Sequence, residues 1–441
     1  MVTSRQLFSF LLFPCMLTCM PVMAHPEGND STGIIKKDYS AQSHFSYTLS
    51  YLPGKTLATD TYVKDIIKKQ ANHSIIFETR YRPTLPPEKR EAKDDFDSHY
   101  NYPSINIGLR YNFNRGTTLQ REGGKDWEPF QASDYATHLG DAISLYGKFI
   151  RPFFRYKRVE CSYYLGAGLG YSWDIYNRKD GIDNELVGSH MSIYFTGGLS
   201  AEYRIDRNWS VIGAIDFSHH SNGALNRPNK GANYFGPSLG LAFTPQAKQD
   251  EDNSDNTEKK NTATKTFNKY WYTEVTLGFG GKTLLEDWNN GHDLPKDDPD
   301  YRTEHYKIYS AYSMQLALMN RYSLCYASGL ALDVFYGSYS GHIKRLDEEA
   351  GRQCKHSPWS IALAAKQDFF YKNFTMHGAI GYYLYREMGY RADLEEKPYY
   401  ERIGLSYTFP KLYNISAGFS VKAHLGKADV TEFQLVVPIK L

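Results

Sequence analysis

The chain has 441 residues, and its 51 Lys and Arg nearly balance its 49 Asp and Glu, giving a formal net charge of +2. A near-neutral chain without a basic patch is not expected to bind nucleic acid. Tyrosine is unusually frequent, with 37 residues, and aromatic residues make up 15% of the chain.

Residues 1–24 are predicted to be a secretory signal peptide. Arg5 supplies the positive charge, 7–17 is an apolar run, and small residues at 22–24 form the cleavage site. No later segment has the continuous apolar length of a membrane helix. The mature chain keeps an odd number of cysteines, which predicts neither a disulfide framework nor a zinc site: Cys161, Cys325 and Cys354.

The first half, assigned to 25–245, alternates with the period of a β-strand. Within 159–173 one face is mainly apolar and the other carries small or polar side chains. Outer-membrane β-barrels alternate in this way and carry aromatic girdles. Eight strands are predicted, near 43–52, 74–81, 103–113, 142–156, 159–173, 189–205, 207–220 and 233–243.

The lengths of the connections favour a membrane barrel over a periplasmic or secreted β-sandwich, which would also alternate. Tight turns, such as 156–158 and 206–208, mostly alternate with long polar loops, such as 114–141 and 174–188. Short periplasmic turns opposite long external loops are typical of outer-membrane barrels. The long connection 82–102 is an exception. With both termini in the periplasm, residues 219–232 are expected at the outer surface.

The end of the seventh predicted strand carries a possible nucleophile and base. His219 and Ser221 share a face with the apolar Phe217 and Ile215, because residues two apart on a strand point the same way. An imidazole in reach of a serine hydroxyl can take its proton. The alternative is a pair of polar residues at the level of the lipid headgroups.

The neighbours of this pair have separate expected roles. His220 points to the opposite face and is expected to be a satisfied inward polar residue, so a metal site formed with His219 is not predicted. Asn222 and Gly223 follow directly, and a flexible turn there would aim N–H groups at a developing oxyanion.

A polar segment, 246–268, is predicted to link the first half to a second half at 269–441. Eight more strands are predicted near 270–280, 304–319, 321–337, 358–370, 372–387, 397–409, 412–423 and 428–440. The fold class is therefore an all-β, antiparallel transmembrane β-barrel protein of about sixteen strands. One large barrel and two barrels of eight strands are both compatible with the pattern.

A weak repeat relates the two halves. The segment 208–215 reappears as 373–380, although convergence between barrel strands would give a similar pattern. Where the first half has His219 and Ser221, the aligned segment 384–386 reads Leu-Tyr-Arg. The second half is therefore expected to lack the His-x-Ser motif and to be structural or accessory.

The motif His219-x-Ser221-Asn222, followed by Pro228-Asn229 and Gly231, resembles the lipid A 3-O-deacylases of the bacterial outer membrane. The resemblance covers roughly 140–245. It implies an integral outer-membrane enzyme that hydrolyses the ester-linked acyl chain at the 3 position of lipid A in the outer leaflet. It further implies a His-Ser-Glu triad on the outside of the barrel, and Asn233 stands where that family has glutamate.

The leading hypothesis is a serine esterase that needs no cofactor and no metal. Ser221 is the nucleophile, His219 the base and Asn233 the group that orients it, while Asn222 and Gly223 hold the oxyanion. The partner is lipid A, or lipopolysaccharide, in the outer leaflet. The alternatives are a non-enzymatic barrel, either a pore or a surface-binding scaffold, and an esterase or phospholipase for other outer-leaflet lipids.

Overall fold

The computed structural model describes residues 43–58, 60–86, 95–127, 130–246 and 267–440. The predicted signal peptide and nearly all of the predicted linker lie outside these residues. Among the helices in the described ranges, none has the length and apolar character needed to cross a membrane.

Eight antiparallel strands of the first half close on themselves, because β1 pairs with both β2 and β10. They are β1 (Phe45–Leu57), β2 (Ile67–Tyr81), β3 (Ser104–Phe113), β6 (Ala142–Tyr156), β7 (Val159–Ser172), β8 (Met191–Arg204), β9 (Trp209–Ser221) and β10 (Ala232–Phe243). Two short strands, β4 (Thr117–Leu119) and β5 (Thr137–His138), extend β2 in the external loops.

The second half forms its own closed barrel of eight antiparallel strands, in which β11 pairs with β12 and β18. They are β11 (Tyr270–Lys282), β12 (Tyr309–Arg321), β13 (Tyr326–Gly337), β14 (His356–Tyr371), β15 (Phe374–Met388), β16 (Tyr399–Phe409), β17 (Ile415–His424) and β18 (Lys427–Lys440).

All sixteen predicted strands are therefore confirmed, and the all-β outer-membrane class with them. Of the two arrangements left open, the chain adopts two small barrels. Sequence alternation did not indicate the short helices in the connections: α1 (Thr61–Ile66), α2 (Phe96–His99), α3 (Leu285–Asp293), α4 (Ser340–Glu349) and α5 (Tyr390–Leu394). The first of these is capped by Asp60, whose Oδ1 accepts the N–H of Val63 at 2.8 Å.

The alternation sorts side chains as the sequence predicts. Leu169 and Leu239 point outward and remain 59% and 65% exposed, which suits contact with hydrocarbon. Arg110 and Asp216 point inward and form a buried ion pair, with Nη1 2.6 Å from Oδ1. Side chains thus fill the interior, as expected for eight strands.

The two barrels lie side by side in the same orientation. At their outer ends, the Thr283 N–H after β11 donates to the Ala224 carbonyl after β9 at 2.7 Å. At their inner ends, the Tyr371 hydroxyl donates to Asp97 Oδ1 at 2.7 Å. The barrels therefore contact each other at both ends.

The weak repeat does not join equivalent strands. Its first copy lies in β9, the seventh strand of the first barrel, and its second copy lies in β15, the fifth strand of the second. The second barrel's seventh strand is β17, which ends at His424. Neither β15 nor β17 ends on a His-x-Ser motif, as the sequence predicts for this half.

Candidate functional site

Strand β9 carries the candidate site at its outer end. Its even residues face the lumen, so His220 is 1% exposed and lies against the rings of Tyr194 and Tyr234. Its Nδ1 is 3.3 Å from Ser192 Oγ. The predicted inward position of His220 is confirmed, and His219 and Ser221 point to the opposite face.

Asn233 is the cross-strand neighbour of His219. The two residues are paired in the β9–β10 register, and His219 Nδ1 lies 2.8 Å from Asn233 Oδ1. The Asn233 Nδ2 group donates to the Gly231 carbonyl at 3.3 Å, which directs Oδ1 toward the imidazole. Because an amide oxygen only accepts, Nδ1 of His219 carries the proton and its Nε2 keeps a free lone pair. This is the tautomer that a general base requires.

Ser221 is the last residue of β9 and pairs with Ile193 of β8. Its hydroxyl makes no hydrogen bond to His219 within the described part of the chain, and such contacts often tighten only when substrate binds. Ser221 is only 9% exposed. Ser221 thus lies on the outward face of β9 but is largely covered by other residues of the chain.

Gly231 lies directly against the imidazole. It has a φ of +78°, and a Cβ at this position would be 2.6 Å from Cε1 of His219. Its N–H donates to the Leu186 carbonyl at 3.0 Å, which anchors it to the external loop between β7 and β8. Glycine is thus required both by the backbone conformation and by the space that His219 occupies.

The loop after Ser221 presents two polar groups of the predicted oxyanion site. The Asn222 N–H is already engaged, because it donates to Asn229 Oδ1 at 3.1 Å. The Asn222 side-chain amide is buried and has no hydrogen-bond partner in the described residues. Gly223 has a φ of +62°, and within the same residues its N–H makes no hydrogen bond. The donors available from these two residues are thus Asn222 Nδ2 and the Gly223 N–H.

A buried polar cluster in the external loops supports this arrangement. Arg121 Nε is 2.7 Å from Asp183 Oδ1, and the Tyr62 hydroxyl donates to Glu185 Oε1 at 2.5 Å. Burial raises the pKa of the Glu185 carboxyl. The backbone at Glu185 also contacts the loop between β9 and β10, since the Lys230 N–H donates to the Glu185 carbonyl at 3.0 Å.

No carboxylate replaces the family glutamate beside His219 in the described chain. Glu185 lies in the adjacent external loop, but its carboxyl is engaged by Tyr62 and by an ion pair with Arg121 at 3.4 Å. The side-chain partner of His219 is Asn233. The orienting group is therefore a neutral amide.

The outward surface below the site is apolar. Side chains of β8, β9 and β10 between the site and the inner rim remain 43% to 65% exposed: Leu199, Ile215, Phe235, Leu239 and Leu241. A surface of this composition is compatible with hydrocarbon. The site thus lies at the outer end of an exposed apolar surface.

The second barrel contains a Ser-His-Asp arrangement that sequence reasoning missed. His377 Nε2 is 2.7 Å from Ser406 Oγ, and its Nδ1 is 2.9 Å from Asp368 Oδ1. All three lie in the filled lumen and are at most 8% exposed, which leaves no room for a lipid. His377 and Asp368 also approach Glu274 closely enough to hold a metal ion, but the ammonium of Lys366 already contacts that carboxylate.

Two family models match the chain. Residues 105–242 match the model described as Lipid A 3-O-deacylase (PagL), and residues 271–440 match the model described as Acyloxyacyl hydrolase, C-terminal domain. The first match includes β9 and β10, which carry the candidate site, and the second includes nearly all of the second barrel. No curated protein sequence matches the chain.

Three solved structures show weak similarity. The outer membrane enzyme PagL is 14% identical over 44% of this chain and 97% of its own, with a TM-score of 0.25. An outer membrane channel from Pseudomonas putida is 8% identical over 93% of this chain and 100% of its own, with a TM-score of 0.19. A mutant of Rh. blastica porin is 7% identical over 90% of this chain and 99% of its own, with a TM-score of 0.16.

Proposed function

We propose that this chain, whose first barrel belongs to the lipid A 3-O-deacylase family and whose second barrel matches the C-terminal domain of acyloxyacyl hydrolase, deacylates lipid A. It is an integral outer-membrane protein. The proposed reaction is hydrolysis of an ester-linked acyl chain, at the 3-O position by family resemblance. The observation that carries the proposal is the hydrogen bond of 2.8 Å between His219 and Asn233. His219 lies two residues before Ser221, on the same outward face of β9.

The proposed first step is acyl transfer to Ser221. His219 Nε2 takes the serine proton while Oγ attacks the ester carbonyl, and negative charge develops on the carbonyl oxygen. Asn222 Nδ2 and the Gly223 N–H donate to that oxygen. When the intermediate collapses, the imidazolium returns its proton to the departing sugar oxygen, and the fatty acyl group remains on Ser221.

The second step releases the fatty acid. Water attacks the acyl-serine, His219 takes one proton from it, and the same proton returns to Oγ as the carboxylic acid leaves. This cycle uses only groups of the chain itself and water. Neither a metal nor a cofactor is needed.

Asn233 fixes the imidazole but contributes no negative charge. Its oxygen holds the reactive tautomer, which in serine hydrolases is a large part of what the third residue does. A carboxylate would in addition stabilise the imidazolium that forms in each step. The proposed enzyme is therefore slower than one with glutamate at this position.

The location of the site suits a lipid with its ester at the membrane boundary. Ile215 and Leu239 on the wall below provide an apolar surface for the acyl chain, which need not leave the hydrocarbon. The polar loops above, in which Lys230 pairs with Asp60 at 3.8 Å, lie on the side of the proposed sugar headgroup. Another outer-leaflet lipid would use the same residues and differ only in its headgroup.

The pore alternative gains no support from the interiors of the barrels. The Arg110–Asp216 pair fills the first lumen, and in the second lumen Arg402 lies between Asp333 and Glu432 at 3.8 and 3.5 Å. Barrels of eight strands are normally packed in this way. No specific feature of the external loops favours a binding scaffold over an enzyme.

The test compares lipid A from cells that express the chain with lipid A from cells that express Ser221→Ala. Mass spectrometry should find one acyl chain missing only with the unmodified chain, and the released fatty acid identifies the position cut. Phospholipids from the same cells provide the comparison for substrate class. Identical lipid A in both strains, with both proteins folded in the outer membrane, contradicts the proposal.

A further inference from the structure

Two consecutive residues after the proposed nucleophile have left-handed backbones. Gly223 has a φ of +62° and Ala224 a φ of +69°. For alanine this conformation is unfavourable, and such residues persist where surrounding contacts hold them. Ala224 is fully buried, with 0% exposure. The left-handed backbone of Ala224 is thus maintained by the contacts around it.

The turn is closed within the first barrel by the Leu225 N–H, which donates to the Asn222 carbonyl at 3.2 Å, and further contacts to Gly223 and Ala224 come from the second barrel. The Thr431 hydroxyl on β18 donates to the Gly223 carbonyl at 2.8 Å. The Ala224 carbonyl accepts both the N–H of Thr283 at 2.7 Å and its hydroxyl at 2.9 Å. A Cβ on Gly223 would lie 2.0 Å from Thr431 Oγ1, so the approach is close.

The far side of the same loop is also fixed. An Nη2 hydrogen of Arg227 bonds to the Thr283 carbonyl at 3.0 Å, and the Asn226 amide donates to the Gly188 carbonyl at 2.6 Å. Thr283 therefore contacts the loop at Ala224 and at Arg227. The turn after Ser221, which was expected from the sequence to be flexible, thus has hydrogen bonds to both barrels.

We propose that the second barrel positions the oxyanion-binding loop of the first, with Thr431 and Thr283 as the positioning residues. Fixing the carbonyls of Gly223 and Ala224 sets the peptide planes that follow Gly223. The first barrel itself holds Asn222 through Asn229 and Leu225, and the contacts from the second barrel complete the restraint on the turn that carries the Gly223 N–H. This inference rests on the proposed esterase function.

The physical basis is the sensitivity of oxyanion stabilisation to geometry. A donor helps only when it points at the place where the charge develops, and a misplacement of about 1 Å can cost about a hundredfold in rate. Substrate binding along the apolar wall does not involve these donors. Loss of the Thr431 contact should therefore lower kcat and leave KM nearly unchanged.

The test uses the full chain in detergent micelles with lipid A as substrate. Thr431→Val keeps the shape of the side chain but removes the hydroxyl, and Thr431→Ser keeps the hydroxyl. The matched control is Thr408→Val, which removes a threonine hydroxyl that bonds to Ser416 at 2.8 Å elsewhere in the second barrel. Migration on gels without heating reports whether each variant keeps its folded barrels.

The expected result is a fall in kcat of about tenfold or more for Thr431→Val, with KM within about twofold, and a larger fall when Thr283→Val is added. Thr431→Ser and Thr408→Val should remain near the unmodified chain. If Thr431→Val and the double variant are as active as the unmodified chain, the inference is overturned while the esterase proposal stands. An unmodified chain without activity on any lipid overturns both.

Discussion

Replacing Asn233 with aspartate tests whether this residue acts on the imidazolium. The two side chains have nearly the same shape, so a carboxylate oxygen stays about 2.8 Å from His219 Nδ1. A hydrogen bond to a charged group contributes about 1–2 kcal/mol more than a neutral one. The added charge also repels the Gly231 carbonyl, but that cost is present in the ground state and the transition state alike.

The interaction with a positive imidazole exists only while the proton is on His219. The gain of about 1–2 kcal/mol should therefore appear in kcat, which rises about fivefold to thirtyfold. The assay measures initial rates of fatty acid release from lipid A at pH 8 to 9, where the resting imidazole is neutral. Steady-state kinetics then separate kcat from KM.

The matched control is Asn229→Asp, which adds the same charge in the loop just before β10. Asn229 bonds to the Asn222 N–H rather than to His219, so its variant should show no gain in kcat. Equal rates for Asn233→Asp and the unmodified chain, or an equal gain in both variants, would refute the assignment of Asn233 as the partner of the base.

Two further substitutions test the surroundings of His219. Gly231→Ala should lower kcat about tenfold to a hundredfold, because the new Cβ would lie 2.6 Å from Cε1 of His219 and the φ of +78° disfavours alanine. Rates of lipid A hydrolysis measure this effect, and an unchanged kcat would contradict the prediction. His220→Asn should leave activity within about threefold and lower stability by about 1 kcal/mol, because His220 contacts lumen groups such as Ser192 at 3.3 Å. Urea unfolding measures the change in stability, and the same rate assay measures the activity. A loss of activity as large as that of Ser221→Ala would contradict the structural role assigned to His220.

Much of the fold follows from local pattern. The alternation in β7 and β8 is clean because one face meets hydrocarbon and the other a packed lumen, so strand positions and side-chain directions were predictable. The register that places Asn233 opposite His219 does not follow from this pattern, because residues 222–231 separate the two strands. The family resemblance, rather than the alternation, indicated Asn233 as the partner of His219.

Other features depend on contacts that are distant in sequence. The loop after Ser221 has hydrogen bonds to Thr283 and Thr431, which belong to the other barrel. Nothing in the strand pattern reports which faces of two barrels meet. The short helices in the loops likewise depend on packing against those loops, as α1 does through Val63 and Ile66.

The luminal Ser406-His377-Asp368 set was missed for a related reason. Its members come from three strands, and only the registers of β14 with β15 and of β15 with β16 bring them together. The alternation of the sequence does indicate that each of these three side chains points inward. It does not show that the barrel closes around them, and this closure is what keeps lipid away from the three residues.

The most direct measurement of the central claim is labelling by a fluorophosphonate, which reacts with activated serines. The folded full-length chain is treated with the reagent, and peptide mass spectrometry locates the adduct. The account predicts an adduct on Ser221 that is lost in His219→Ala and retained in His220→Asn. An adduct on Ser406 instead, or an adduct on Ser221 that His219→Ala does not reduce, would contradict it.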